Sequence, residues 1–339
     1  ILEGNGSIMA KAIFVIIGTI IGAGFASGQE IYSFFNIYKE NGFLGIILAS
    51  ILIGFVIYKV LKMSDKLNTE NYKDLLEKIR LPKKLSVFFN IIINLFLILS
   101  FYIMVTGFTA YFKQEFQIPS ILTAVAVVIL CYITFLKNIE GIAKINTIII
   151  PILISIVLIM GAKANIPATI SGFTLKNISF NFDWVLKSIE YAGYNTILLI
   201  PMLINLKKYT KNKEKSISII STLIFFIITT IIYLIMFKYN NLSNIEIPLV
   251  YIANEYGEIF KFVYGIVIVL AIYTTIISAG YSFLANCCKS EKTYKLLAKT
   301  ICFLAIFVYS LSFAGLVNLT YPVFGLLGVI QIIAILKQK

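Results

Sequence analysis

Apolar residues run along this chain in long blocks broken by short polar or basic segments. Ten of the blocks are long enough to cross about 30 Å of hydrocarbon at about 1.5 Å per residue. They lie near 9–38, 42–62, 85–112, 120–136, 142–160, 182–205, 217–237, 259–287, 294–313 and 317–336. The pattern predicts an all-α membrane protein with ten transmembrane helices. Between spans 2 and 3, over 62–84, Leu67, Tyr72, Leu75, Leu76 and Ile79 recur among lysines and acids, which predicts an amphipathic helix on the membrane surface. Five spans later Ile247–Gly257 reads as a short helix begun by Pro248 and stopped by Gly257. Equivalent segments of a five-span repeat must lie on opposite faces of the membrane. The pair therefore predicts a 5+5 inverted repeat, 9–160 and 182–336, within one domain over 9–339. Residues 1–8, Ile-Leu-Glu-Gly-Asn-Gly-Ser-Ile, read as an artificial leader before Met9 and carry no argument.

Span 1 begins as a membrane helix and then departs from the pattern. Gly18, Gly22, Gly24 and Gly28 fall close together, and Ser27, Gln29 and Glu30 follow where the block should still be apolar. Glycine costs roughly 1 kcal/mol against alanine inside a helix, so the cluster predicts an unwound segment. At bilayer depth such a break survives only where protein or a wet cavity satisfies the freed backbone groups, which makes it a candidate binding site. The spacings Gly18/Gly22 and Gly24/Gly28 also fit a helix-packing face.

Span 6 is the matching helix of the second half and is expected to be discontinuous too. Glu190, Gly193 and Asn195 cluster within it, with Pro201 beyond; a proline kink alone would explain Pro201 but not the cluster. Glu190 at the bilayer centre should be protonated, paired or facing water, and no lysine at midplane offers itself as a partner. Span 3 offers Tyr102, as a gate to a pocket or as packing. Span 8 places Thr274 and Thr275 after Ala271; their hydroxyls can ligate a small cation or bond back to their own helix. Glu140 and Lys144, at the cytoplasmic end of span 5, fit an inner gate or an interfacial anchor equally.

Composition sharpens this picture. At 59% hydrophobic and 13% charged, the chain is too apolar for a soluble domain of its length. The net charge of +13 would suit nucleic acid, but 22 of 29 basic residues fall in segments that are cytoplasmic if the N-terminus is, against 7 outside. The positive-inside rule accounts for the excess, with both termini in the cytoplasm and no basic face left for nucleic acid. Cys131, Cys287, Cys288 and Cys302 sit in or at the ends of spans without metal-site spacing. Histidine is absent, which removes the commonest catalytic base and argues against an enzyme. No organic cofactor is implied.

The broken span 1, the Glu190-Tyr-Ala-Gly-Tyr-Asn195 run, the ten spans and the mirrored surface helices resemble the amino acid–polyamine–organocation superfamily with the leucine-transporter fold. Gly18-Thr-Ile-Ile-Gly-Ala-Gly-Phe-Ala-Ser-Gly-Gln-Glu30 is similar to its bacterial amino-acid permease branch, and the resemblance covers essentially 9–339. It implies a multi-pass protein of the bacterial inner membrane: a secondary active symporter of an amino acid or related small amine, working by alternating access. The substrate site it implies comprises Gly22, Ala23, Gly24, Phe25 and Gln29 on span 1, Tyr102 on span 3, and Glu190, Tyr191, Ala192, Gly193, Tyr194 and Asn195 on span 6. The substrate carboxylate would lie on the amides around Ala23, Gly24 and Phe25, and its amine would face carbonyls near Tyr191 and Ala192. Sodium would sit between the carbonyls of Gly18 and Ile21 and the Ala271, Thr274 and Thr275 segment. Proton-coupled relatives place a lysine on span 5, where this chain has Ile and Pro near 151–154, a departure that favours sodium. A ligand-sensing receptor that keeps the fold, as in spore germination, and a proton-coupled permease are the alternatives.

Overall fold

The first apolar block does not form one helix. In a computed structural model, which describes residues 5–337 apart from 70–71, 80, 137–139, 165–181, 207–209, 211, 240–241 and 289, it is cut into α1 (Asn5–Ile20), α2 (Ala23–Ser27) and α3 (Gln29–Phe34). Gly22 is extended, with φ −87° and ψ −173°, and leads into α2. Gly28, between α2 and α3, has φ 82°, a left-handed conformation that glycine adopts without strain. A Cβ there would also lie 2.7 Å from Leu249 Cγ.

The other helices follow the predicted blocks with boundaries shifted by a few residues: α4 (Glu40–Lys66), α6 (Lys83–Phe116), α7 (Ser120–Leu136), α8 (Glu140–Lys163), α9 (Asp183–Asn205), α10 (Glu214–Phe237), α12 (Glu258–Cys287), α13 (Glu291–Ala305) and α14 (Phe313–Leu336). Among the described residues, Glu40–Lys66, Lys83–Phe116, Glu214–Phe237, Glu258–Cys287, Glu291–Ser310 and Phe313–Leu336 are long and apolar enough to cross a membrane. Met9–Ile20, Ser120–Leu136 and Ile149–Lys163 are shorter apolar helical segments. Leu122, Leu296 and Leu319 point outward with 61, 67 and 69% of their surface exposed, while Ser27, Gln29, Glu30, Glu190, Asn195 and Thr274 are buried. An apolar exterior around a polar interior suits lipid, where backbone and side-chain polar groups must find partners inside the protein. The chain is a multi-pass membrane protein.

Both predicted surface helices form. α5 (Tyr72–Lys78) is shorter than the amphipathic segment predicted over 62–84, because α4 runs on to Lys66. It buries Leu75 and Leu76, and the Tyr72 hydroxyl accepts a 2.6 Å hydrogen bond from Gln331 of α14. Burial pushes the Tyr72 phenol up from its ordinary range. α11 (Pro248–Ala253) begins at Pro248, and a 3-10 turn carries the chain to Gly257 at φ 107°. Arg80, Lys137, Lys176, Lys207, Lys208, Lys211, Asn241, Lys289 and Lys339 lie outside the described residues, as do the side chains of Lys73, Glu140 and Lys144.

α9 is the centre of the packing, held between α14 and α4. Its contact with α14 runs backbone to backbone: a Cβ on Gly193 would overlap the Gly325 carbonyl, and one on Gly328 would overlap Gly193. α10 packs on α1, α3, α4 and α8, and α12 packs on α6, α8 and α2. The two short helices pack against distant parts of the chain, α5 lying against α9 and α11 against α2 and α3.

Candidate functional site

The break falls at Ile21 and Gly22, inside the bundle. The Ile21 amide still reaches the Ile17 carbonyl at 2.7 Å and Gly22 donates to Ile20 at 3.1 Å; α2 then starts with Ala26 donating to Gly22 at 3.0 Å. The amides of Ala23, Gly24 and Phe25 precede that first helical bond, as the first amides of any helix do. A Cβ built on Gly22 meets no atom within 4 Å, so the break borders open space. The second turn is closed locally. The Ser27 hydroxyl donates to the Gly24 carbonyl at 2.7 Å and accepts from the Gln29 amide at 3.1 Å, bridging the left-handed Gly28.

This turn aims Glu30 inward. The side chain, 4% exposed, folds back so that its carboxyl lies against the α-carbon of Gly24, where a Cβ would sit 2.9 Å from the Glu30 Cδ. It accepts a hydrogen bond from the Tyr194 hydroxyl of α9. Aromatic rings wall this contact. Phe34 meets Tyr191 edge-on at 5.2 Å and stacks near Tyr194 at 5.7 Å, Phe35 meets Tyr191 at 4.9 Å, and Tyr321 of α14 approaches Tyr194 at 4.7 Å. The Tyr191 hydroxyl is buried without a hydrogen-bond partner among the described residues, and so is Gln29 Oε1. The Gln29 amide group itself donates to Ser33 at 3.1 Å. Gln29 also lines an open cavity of about 340 Å³ bounded by Ser33, Lys187, Ser243, Asn318 and Pro322.

The expected break in span 6 is absent: α9 is helical without interruption from Asp183 to Asn205. Asn195 and Thr196 bond within the helix. Asn195 donates to the Tyr191 carbonyl at 2.9 Å and Thr196 to Gly193 at 2.7 Å, while Gly193 serves the close approach to α14. The Tyr191 carbonyl is thereby occupied. Glu190 is likewise not without a partner: Lys187, one turn earlier on the same helix, pairs with it at 2.7 Å from the rim of the cavity.

The remaining candidates are spread wider. Tyr102 packs edge-on at 5.3 Å against Phe101, which in turn lies on Gly280 of α12. Thr274 and Thr275 both donate to the Ala271 carbonyl, at 3.1 and 2.8 Å, and Gly18 faces Ile150 of α8. α12 meets the broken helix at a different point, where the Tyr264 hydroxyl donates to the Ala26 carbonyl at 2.5 Å. Of the predicted residues, then, Gly24, Tyr191 and Tyr194 gather around one place, with Phe25 beside Phe225 behind it at 6.2 Å. Glu30, at the heart of that place, is read from the sequence as one of the polar residues of the break but is not among the implied site residues. A signal was available: it is an acid in a block with no basic residue between Lys11 and Lys39.

No family model matches the chain. It is 29% identical to an uncharacterised protein, YyaD, of Bacillus subtilis strain 168, across 96% of this chain and 95% of the relative. It is 22% identical to an uncharacterised membrane protein, YkvI, of the same organism, across 100% of this chain and 98% of the relative. Among solved structures it is similar to a mutant form of the manganese transporter of Eremococcus coleocola, with TM-score 0.64 and 16% identity over 99% of this chain and 80% of that one. A sodium-coupled sialic acid symporter in a substrate-bound outward-open state matches with TM-score 0.51 and 15% identity, over 96% of this chain and 84% of that one. The chain shares the fold of these membrane transporters.

Proposed function

We propose that the protein is a secondary active transporter that carries an amino acid or a related small amine by alternating access, with its substrate at the break of the first helix. The observation that carries this reading is the open space beside Gly22, next to the amides of Ala23, Gly24 and Phe25. Those amides suit a carboxylate, the anionic end of an amino acid. A divalent transition metal fits less well, because among the described residues no group of three or more Cys, Asp or Glu side chains gathers.

The same reading takes the fold as two inverted five-helix halves. What supports it is reciprocal packing: α4 and α5 of the first half lie on α9, and α10 and α11 of the second half lie on the α1–α3 segment. Both termini are then cytoplasmic, as the charge distribution requires.

Sodium coupling is favoured by the sequence departure near 151–154, where Ile and Pro stand in place of a lysine, while the Thr274 and Thr275 hydroxyls both donate to the Ala271 carbonyl of their own helix. To bind an ion there both hydroxyls must leave that carbonyl. If sodium is used, Thr274→Val with Thr275→Val removes two oxygens and binding loses its sodium dependence; unchanged dependence excludes the site.

The test of the substrate site is a thermal-shift screen of amino acids and small amines, since a ligand stabilises by RT ln(1 + [L]/Kd). At least one compound should stabilise the wild type and fail to stabilise Gly22→Val, whose side chain enters the open space. Equal stabilisation of both proteins would place the ligand elsewhere.

A further inference from the structure

The proposed function leaves the buried carboxyl of Glu30 without an explanation. It makes no ion pair among the described residues, and its nearest basic neighbours in sequence are Lys11 and Lys39. The groups around it are phenols: Tyr194 donates to it, Tyr191 and Tyr321 lie within electrostatic reach, and Tyr264 joins α2 from α12. The charges nearest on α9, Lys187 and Glu190, satisfy each other. From α10 the cluster receives Phe225 and from α11 Leu249, neither of which carries charge. An ionised carboxyl held this deep with only one neutral donor is costly, and a cation must offset it.

The structure also limits what that cation can be. One carboxyl oxygen is taken by Tyr194, the carboxyl rests on Gly24, and the rings of Phe34, Tyr191 and Tyr321 close the sides. A metal ion or an ammonium group needs volume that this packing does not leave. A proton needs none.

We propose that Glu30 is the coupling-proton site of this transporter, and that its protonation, with the Tyr194 hydrogen bond, latches the α2–α3 segment to α9. The balance is simple: the carboxylate takes one proton from water to become the acid, and returns it to water on the other side. Tyr194 keeps its own proton and orients the carboxyl. Water on one side stands close, since Gln29, the preceding residue, lines the open cavity. The latch joins the α2–α3 segment to the helix at the centre of the packing; once the proton is lost, the charge at this depth draws the carboxylate toward the water of the cavity and parts the two elements. This proposal rests on the transporter reading, and it makes a sodium ion at Thr274 and Thr275 unnecessary.

The test is pH-difference infrared spectroscopy of the full-length protein in lipid, with no substrate present. The wild type should show a protonated carboxylic C=O band that disappears as the buffer is made alkaline. Glu30→Gln, which keeps the shape and accepts the Tyr194 hydrogen bond, should lose that band. Tyr194→Phe, which keeps the ring, should shift it, and this second variant serves if Glu30→Gln does not fold. A band that persists in Glu30→Gln, or a wild type with no titrating buried carboxyl, overturns the proposal. A parallel assay uses a radiolabelled amino-acid mixture in proteoliposomes. There Glu30→Gln should retain exchange at zero pH gradient and lose accumulation driven by an inward proton gradient. Accumulation equal to wild type overturns the proposal and leaves the transporter reading standing. A titrating Glu30 in a protein that exchanges nothing has the opposite meaning, because the transporter reading fails and the proton belongs to a sensor.

Discussion

Two carboxylates inside the bundle differ in how their charge is met. Glu190 pairs with Lys187, whose side chain keeps 27% of its surface exposed against 5% for Glu190. The asymmetry in exposure predicts an asymmetry in mutation. Glu190→Gln strands a lysine that can reach the cavity, and should cost up to about 1 kcal/mol, as a part-exposed pair does. Lys187→Met strands a buried carboxylate and should cost several times more. Thermal unfolding in detergent, side by side, checks the order; equal losses would mean that the pair is not where Glu190 finds its stabilisation. That pairing is missed by a search for a lysine at midplane, although Lys187 and Glu190 stand one helical turn apart in the sequence. The partnership of Glu30 was not legible, because Tyr194 is 164 residues away and only the turn at Gly28 brings the two together.

At the scale of elements, density of glycine is not a sufficient sign of a break. In the α1–α3 segment Gly22 and Gly28 do interrupt the helix, and the chain answers with local bonds through Ser27. In α9 Gly193 stays helical, because its missing side chain is what lets Gly325 and Gly328 of α14 approach. Sequence alone presents both as small and polar residues inside an apolar block; which role a glycine plays depends on a helix that arrives much later in the chain. The difference is measurable. Gly22→Ala has open space and an ordinary φ, so the fold should be unaffected within about 0.5 kcal/mol. Gly28→Ala must hold φ 82° and displace Leu249, and Gly193→Ala must push α14 away; each should destabilise by about 1–3 kcal/mol. Melting temperatures of the three variants test the set. A Gly193→Ala protein as stable as wild type would mean that α9 and α14 do not cross so closely.

For the whole molecule, the long apolar helices and the two short helices α5 and α11 were legible because hydrophobic length and amphipathic spacing are local properties. The packing of α5 on α9 and of α11 on α2 and α3 was not legible, because each contact joins segments far apart in the chain. Orientation has a direct check in a native residue. Cys287, exposed at the end of α12, should be cytoplasmic if the halves are inverted about a cytoplasmic N-terminus. With Cys131, Cys288 and Cys302 replaced by alanine, a membrane-impermeant maleimide should label Cys287 in inside-out vesicles and not in intact cells; labelling in intact cells would reverse the topology. The central claim, that substrate binds at the break of the first helix and is carried across, is tested most directly by counterflow. Proteoliposomes loaded with unlabelled amino acids should accumulate the corresponding radiolabelled mixture through the wild-type protein, and those bearing Gly22→Val should stay at the level of protein-free vesicles. Wild-type protein that binds an amino acid yet gives no counterflow, or Gly22→Val that exchanges as the wild type does, would contradict it.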